Sequence, residues 1–188
     1  MILVFDDVLA DVDAYRQAAL TQHFTSVELA PGQTFHGIAM VEDTTLLTWL
    51  ETHCPGLEPT LTFFRLSPLG QPEPNYIHTD RDMGDWTAIL YLNPRPPAGD
   101  GTTFWRNRST GATESLTNDS QALVDEQATW RDASQWEVSV AIPARFGRVV
   151  VFPAARYHSR SIPDNYGYGD EARLIQVVFG QGRVASWQ

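Results

Sequence analysis

His78, Asp80 and His158 have the residue types and the spacing of a metal site. His78 and Asp80 are two positions apart in a segment that we predict to be a strand, residues 74–80, so both side chains would point to one face. His158, from a distant strand, would complete a face of two imidazoles and one carboxylate. That set leaves half of an octahedral metal open, as in sites where non-haem Fe(II) binds a cosubstrate and dioxygen. A lone His-x-Asp pair is more often a surface ion pair, so the neighbouring segments decide.

Further segments follow in a fixed order along the chain. Residues 87–93 form a predicted strand that ends in Tyr-Leu-Asn, and residues 99–105 contain a Gly-rich turn that leads into Thr-x-Phe. A Pro…Gly…Phe strand at residues 143–152 comes next, then His158, and finally an Arg-bearing strand at residues 172–179. Each segment is common by itself, whereas their shared order is specific.

Over residues 60–180 this order resembles the prolyl-4-hydroxylase-like branch of the Fe(II)/2-oxoglutarate-dependent dioxygenases. The resemblance implies a double-stranded β-helix, or jelly roll, with Fe(II) held by His78, Asp80 and His158. It also implies that 2-oxoglutarate chelates the metal, that O2 binds there too, and that an unactivated C–H bond is oxidised, most simply by hydroxylation. Retention of Asp80 argues against halogenation, for which that ligand position is typically vacant in this family.

The far carboxylate of such a cosubstrate would be buried and would need a cation, because an unpaired buried charge is costly. Arginine offers two parallel N–H donors to a carboxylate. Arg173 begins a predicted strand whose alternate residues are apolar, and it occupies the family's position for this partner. Arg160, two residues after His158, is the rival candidate. A plain ion pair of Arg173 with Asp170 or Glu171 is the non-functional alternative.

Other side chains near these segments are candidates for ligand contacts. The hydroxyl of Tyr91 could share the cosubstrate carboxylate with Arg173, although a core tyrosine bonded to backbone fits the pattern equally well. Trp86, Trp105 and Arg160 are candidates for the rim of a substrate site. The sequence leaves the substrate open among amino acids, peptides or proteins, and small natural products.

The pattern of elements predicts one domain over residues 1–188, mainly β. Residues 1–58 would be a helical support, with helices at residues 11–22 and 43–54 packed on the outer sheet; Asp11 and Asp43 are candidate caps. Residues 59–182 would form the jelly-roll core. Its strands are predicted near residues 60–66, 74–80, 86–93, 101–106, 136–142, 148–153, 156–162 and 172–180.

An insertion at residues 107–135 interrupts the strand pattern and contains a predicted helix at residues 119–134. It could close over the site as a lid, or it could be a solvated connection. The loop at residues 163–170 could likewise border the opening.

Composition narrows the class of protein. The net charge is −10, which makes the chain a poor candidate for nucleic-acid binding. No apolar run is long enough for a membrane span, and Met1–Phe5 lacks the basic flank of a signal peptide. The single cysteine, Cys54, fits a reducing cytoplasm, where we expect this protein to act on a small-molecule or peptide substrate. The oligomeric state is not indicated.

Two alternatives stay open at this point. One is a non-catalytic jelly-roll module that binds a metal, although a purely structural site tends to close its coordination shell. The other is a cupin-like iron dioxygenase that uses no oxoacid. Arg173 separates these hypotheses, because only oxoacid-dependent chemistry requires it.

Overall fold

The structure is a computed structural model of the chain. It describes residues 1–30, 33–73, 76–115, 129 and 132–183. Most of the helix predicted at residues 119–134, and with it the question of a lid, lies outside these residues.

Ten strands and two α-helices form the described part of the chain. The strands are β1 (Leu3–Phe5), β2 (Thr25–Ala30), β3 (Gln33–Met40), β4 (Leu57–Ser67), β5 (Trp86–Tyr91), β6 (Gly101–Asn107), β7 (Trp136–Pro143), β8 (Val149–Pro153), β9 (His158–Arg160) and β10 (Arg173–Gly182). The helices are α1 (Val12–Leu20) and α2 (Thr45–His53), and short 3-10 turns occur at Ala133–Gln135 and Gly169–Glu171.

The strands form two antiparallel sheets. The larger sheet has the order β1-β8-β5-β10-β4-β3-β2, and the smaller one has the order β7-β6-β9. In the larger sheet, Arg173 pairs with Ser67, and Ile175 lies between Arg65 of β4 and Tyr91 of β5. Paired residues project to the same side of a sheet and successive residues alternate. Arg65, Tyr91 and Arg173 therefore share one face.

Apolar side chains fill the space between the two sheets. Ile89, Val150, Ile175 and Val177 of the larger sheet belong to one buried cluster with Phe104 of the smaller sheet. The face that carries Arg65, Tyr91 and Arg173 is consequently the interior face, directed at the smaller sheet.

The opposite face of the larger sheet belongs to a second cluster that includes the helices. Ala19 of α1 and Leu46 and Leu50 of α2 are fully buried together with Leu90 of β5 and Leu174 of β10. Alternation along β5 and β10 thus separates a helix-side core from the core between the sheets.

A carboxylate lies just before the first turn of each helix, at the residues predicted as caps. Oδ1 of Asp11 accepts a hydrogen bond of 2.9 Å from the backbone N–H of Ala14. Oδ1 of Asp43 accepts one of 2.6 Å from the N–H of Thr45, although Thr44 is the capping residue by position. These bonds satisfy N–H groups that have no partner within the helix.

Two local predictions need correction. The segment predicted as a strand at residues 74–80 contains no regular strand among its described residues; His78 forms an isolated bridge instead. The hairpin of β2 and β3 was not predicted, and it extends the larger sheet next to β4. The described helices include none that is long and apolar enough to cross a membrane.

Candidate metal centre

Two backbone segments bring the histidines together. The N–H of His78 donates to the carbonyl of His158 at 3.0 Å, and the N–H of His158 donates to the carbonyl of His78 at 2.9 Å. The two ring centroids are 4.4 Å apart. The N–H of Asp80 donates to the carbonyl of Ala154 at 2.8 Å, which ties the aspartate to the segment leading into His158.

His78, Asp80 and His158 each direct one ligand atom towards a common point. These atoms all lie within 4.8 Å of one another. Nε2 of His158 is 3.2 Å from Oδ2 of Asp80, and Nε2 of His78 is 3.7 Å from Oδ1 of Asp80. Bonds of about 2 Å from a metal to nitrogen and oxygen fit separations of this size. The structure thus brings the three predicted ligands to one place.

Each histidine uses Nδ1 for a hydrogen bond to a backbone carbonyl, which leaves Nε2 as the nitrogen that faces a metal. Nδ1 of His78 is 3.1 Å from the carbonyl of Tyr76, and Nδ1 of His158 is 2.9 Å from the carbonyl of Arg156. A carbonyl only accepts, so each Nδ1 carries a proton and each Nε2 can present its lone pair. This arrangement is what a metal-binding imidazole requires.

Asp80 has an outer partner as well. The hydroxyl of Thr87, which is fully buried on the interior face of β5, donates to Oδ2 of Asp80 at 2.8 Å. The bond orients the carboxylate as an outer partner of a metal ligand.

Local charge favours the metal-binding protonation state at Asp80 and His78, whereas at His158 it favours the protonated imidazole, which must release a proton to bind a metal. Burial lowers the pKa of His78 to about 4, and the charge of His158 acts in the same direction. Burial alone would raise the pKa of Asp80, but the charge and hydrogen bond of His158 lower it to about 2. Burial also lowers the pKa of His158, yet the Asp80 carboxylate outweighs it and the net shift is upward. At neutral pH, Asp80 is ionised and His78 is neutral.

The three side chains differ in their access to solvent. The side chain of His158 is 5% exposed, that of Asp80 13% and that of His78 30%. The ring of Phe152 packs edge-on against His158, with centroids 4.7 Å apart. A small ligand would therefore approach from the side of His78.

Arg173 and Tyr91 lie on the interior face, as described above, and both are buried. Nε of Arg173 is 3.3 Å from Oδ1 of Asp100, so its carboxylate partner is neither Asp170 nor Glu171. The hydroxyl of Tyr91 is 2.6 Å from Oγ1 of Thr102, and burial raises the pKa of Tyr91 to about 12.

Arg160 has a different acidic partner. It lies two residues after His158 on β9, so both side chains face the larger sheet, and its Nη1 is 3.4 Å from Oε1 of Glu73. Arg65 of β4, which the sequence analysis did not select, forms an ion pair with the same carboxylate. The sequence does contain a signal for Arg65, because it is a cation at the end of a set of alternate positions in β4 that are otherwise apolar. Glu73 thereby links an arginine of each sheet.

We call these five residues the arginine cluster: Arg65, Arg160, Arg173, Glu73 and Asp100. Burial lowers the pKa of Arg65 and of Arg160, Glu73 opposes this, and the nearby charge of Arg173 adds to it. Arg65 also acts electrostatically on His78 and Asp80. Three guanidinium groups face two carboxylates, so the arginine cluster retains one positive charge beside the metal ligands.

The two tryptophans considered for the substrate rim lie elsewhere. Trp86 is fully buried in the helix-side core, where its indole N–H donates to the carbonyl of Gln181 at 2.9 Å. The indole N–H of Trp105 donates to Oγ of Ser159 at 2.9 Å. Ser159 alternates with His158, so Trp105 lies on the outer face of the smaller sheet. Alternation within β5 and β6 turns both indoles away from the metal ligands.

Several solved structures share this fold. SnoK, a non-heme α-ketoglutarate-dependent carbocyclase from nogalamycin biosynthesis, is 18% identical with a TM-score of 0.56 over 96% of this chain and 79% of that one. HygX from Streptomyces hygroscopicus, solved with nickel and 2-oxoglutarate bound, is 14% identical with a TM-score of 0.55 over 98% and 83% of the two chains. EctD from S. alaskensis, solved with 2-oxoglutarate and 5-hydroxyectoine, is 14% identical with a TM-score of 0.55 over 94% and 70%.

These likenesses confirm the predicted mainly β class and a jelly-roll fold like that of 2-oxoglutarate-dependent enzymes. A search of curated proteins by sequence gives no significant match. The model of one protein family matches residues 71–174, a span that includes His78, Asp80 and His158. The chain belongs to that family, DUF6445, a family of unknown function.

Proposed function

We propose that this protein is a non-haem Fe(II)/2-oxoglutarate-dependent oxygenase that oxidises an unactivated C–H bond, most simply by hydroxylation. The observation that carries the proposal is the convergence of Nε2 of His78, a carboxylate oxygen of Asp80 and Nε2 of His158. When bound there, Fe(II) with 2-oxoglutarate would supply the activation of dioxygen that C–H oxidation needs. The protein's own residues would set ligand geometry, bind the cosubstrate and limit water.

Charge supports a dicarboxylate cosubstrate. One end of 2-oxoglutarate would chelate the metal, and the far carboxylate would meet the arginine cluster, whose surplus of one positive charge it would neutralise. Within the cluster we assign the contact to Arg173, with Tyr91 as a second donor, because both lie on the interior face. Their low exposure would make the contact stronger than the same pair in water.

The type of oxidation and the substrate are part of the same proposal. SnoK is a carbocyclase and SnoN, another structure of this fold, is an epimerase. We favour hydroxylation as the simplest outcome, on an amino acid, a peptide or protein, or a small natural product. We also propose that the protein belongs to the prolyl-4-hydroxylase-like branch, that it forms a single catalytic domain, and that it acts in the cytoplasm.

One observation favours a second candidate, a metal-binding jelly-roll module without oxoacid chemistry. Arg173 already has a buried carboxylate partner in Asp100, so its presence between the sheets has a structural explanation. The two candidates differ in whether 2-oxoglutarate binds. A cupin-like iron dioxygenase would also bind Fe(II) without the oxoacid.

Anaerobic titration separates these candidates. The protein loaded with Fe(II) should develop a visible charge-transfer absorption as 2-oxoglutarate is added, with one equivalent bound. A screen of amino acids, peptides and small natural products should then reveal substrates that raise succinate production. Iron binding without this absorption would contradict the oxygenase proposal in its oxoacid-dependent form and favour the module or the cupin-like enzyme.

A further inference from the structure

Asp100 is a buried carboxylate whose contacts are all accounted for. Its side chain is 2% exposed. Oδ1 accepts a hydrogen bond of 2.8 Å from the N–H of Gly101 and one of 3.3 Å from Nε of Arg173. Oδ2 accepts a hydrogen bond of 2.9 Å from the hydroxyl of Tyr166. Three donors at a charged acceptor give Asp100 a fixed orientation.

The same residues fix the backbone around Arg173. The carbonyl of Asp100 accepts from the N–H of Ala144 at 2.8 Å, and the N–H of Arg173 donates to the carbonyl of Tyr166 at 3.3 Å. Tyr166 belongs to the loop between β9 and β10, and that loop is held a second time by Asn165, whose Nδ2 donates to Glu73 at 2.8 Å. The loop therefore serves as a support for Arg173.

The contact with Asp100 uses one edge of the guanidinium only. The ion pair joins Nε of Arg173, and within the described part of the chain no hydrogen bond involves its two terminal nitrogens. Those nitrogens form the end of the fork that binds a carboxylate in a bidentate manner. A guanidinium held at Nε thus presents its free end in one direction.

We propose that Asp100, held by Tyr166, is a positioning residue that aims the free end of Arg173 at the far carboxylate of the oxoacid. This inference rests on the proposed function and adds a residue pair to it. Holding the guanidinium before the ligand arrives removes the ordering cost that a long side chain otherwise incurs on binding. Because the distance from metal to arginine is then fixed, the pair would also favour an oxoacid of one length.

An opposite effect would follow if Asp100 were only a counter-ion. In that case its negative charge would compete with the oxoacid for Arg173, and neutralising it would tighten binding. Positioning and competition therefore predict opposite signs for the same substitution. Glu73→Gln provides the matched control, because Glu73 is a buried carboxylate of the same cluster that contacts Arg65 and Arg160 rather than Arg173, and Gln keeps an oxygen that can accept the loop bond from Asn165.

The experiment compares the native protein with the variants Asp100→Asn, Tyr166→Phe and Glu73→Gln, all loaded with Fe(II) under anaerobic conditions. Binding of 2-oxoglutarate is followed by its charge-transfer absorption. We expect Asp100→Asn to weaken the binding of 2-oxoglutarate about tenfold and Tyr166→Phe to weaken it about threefold. Losses of this size correspond to one hydrogen bond to a charged group, or to part of one. Glu73→Gln should not weaken it.

Pyruvate distinguishes positioning from general damage to the site. It carries the chelating oxoacid end without the far carboxylate, so Asp100→Asn should leave its binding, and the affinity for Fe(II), unchanged. Selectivity for 2-oxoglutarate over 2-oxoadipate should fall in the same variant.

Two results would overturn the inference while leaving the proposed function intact. One is tighter or unchanged 2-oxoglutarate binding in Asp100→Asn, and the other is an equal loss for pyruvate. If Asp100→Asn does not fold, Tyr166→Phe decides, and unaltered binding in that variant overturns the inference. Failure of the native protein to bind 2-oxoglutarate at all would instead overturn the proposed function.

Discussion

His78 and His158 are joined by a reciprocal pair of backbone hydrogen bonds of 3.0 and 2.9 Å. The imidazoles therefore start from two directly opposed backbone positions, and their ring centroids lie 4.4 Å apart. A shift of one residue at this bridge would turn one imidazole to the other face. The separation of the two nitrogen ligands is thus set by backbone pairing, and the carboxylate of Asp80 is added two residues after His78, where the N–H of Asp80 is bonded to Ala154.

We expect metal binding to require all three ligands. Replacing His78 or His158 with Ala should abolish stoichiometric Fe(II) binding in anaerobic calorimetry, because each residue supplies one of the three ligand atoms that the described residues bring to this centre. The exposed His23 is the control, and His23→Ala should bind Fe(II) as the native protein does. Full iron binding by His158→Ala would remove the basis of the assignment.

Thr87 should influence metal affinity through Asp80. Thr87→Val removes the hydroxyl that donates to Oδ2 of Asp80 and keeps the shape of the side chain. Loss of an outer-shell partner typically weakens a metal site about 10- to 100-fold, and we expect a loss of that size for Fe(II) or Co(II).

The control for this prediction is Thr62→Val. Thr62 is also a buried threonine of the larger sheet, but its hydroxyl donates to the carbonyl of Val177 and accepts from Gln176. Its replacement should lower stability by about 1 kcal/mol without changing metal affinity. Equal losses of metal affinity in both variants would indicate a general effect on the sheet.

Much of the jelly-roll core was predictable because its strands have strong local signals. β8 is a continuous apolar run, β5 and β10 are mainly apolar, and all three coincide with the strands predicted near residues 86–93, 148–153 and 172–180. The metal ligands could also be predicted from the sequence, because the residue types and the order of His78, Asp80 and His158 are those of a two-histidine, one-carboxylate metal site. The hairpin of β2 and β3 was missed even though its two runs flank a Pro-Gly pair in the sequence.

The partners of the arginines could not be predicted in the same way. Whether Arg173 pairs with Asp100 or with Asp170 depends on how the turn before β6 meets the loop before β10, and local patterns do not contain that information. Arg65 is a similar case, because its partner Glu73 lies in irregular chain after β4. Rim residues were overestimated for a related reason: Trp86 has a position next to the motif, but alternation directs it into the helix-side core.

Arg173 should dominate the affinity for 2-oxoglutarate. Arg173→Ala removes the proposed partner of the far carboxylate and leaves Asp100 buried without its cation. We expect 2-oxoglutarate binding to weaken by about two orders of magnitude or more, while Fe(II) affinity changes little. The same variant should lose about 3 kcal/mol of unfolding free energy, because breaking a buried ion pair leaves an uncompensated charge.

Arg160→Ala and Arg65→Ala are the matched comparisons for Arg173. Both lie in the arginine cluster, but their carboxylate partner is Glu73. Each should weaken 2-oxoglutarate binding by less than Arg173→Ala does, because each removes one nearby positive charge but not the proposed partner of the far carboxylate. If Arg160→Ala has the larger effect in the anaerobic absorption titration, the far carboxylate belongs to Arg160 instead.

The hydroxyl of Tyr91 should contribute less than Arg173 to the affinity for 2-oxoglutarate. Tyr91→Phe removes a single donor, so we expect 2-oxoglutarate to bind about 5- to 10-fold more weakly, with unchanged Fe(II) affinity. Only the neutral hydroxyl can donate to a carboxylate, and burial raises the pKa of Tyr91 from an ordinary value of about 10 to about 12. A raised pKa in the folded protein means that the neutral form is favoured, so this contribution is fully present below about pH 10 and is lost as the pH rises towards 12.

The ratio of the native to the Tyr91→Phe affinity, measured by anaerobic titration, should therefore stay constant from neutral pH to about pH 10. Equal affinities in the two proteins would show that Tyr91 is an ordinary core tyrosine bonded to Thr102, and a ratio that collapses below about pH 9 would show that its hydroxyl ionises too readily for the proposed role.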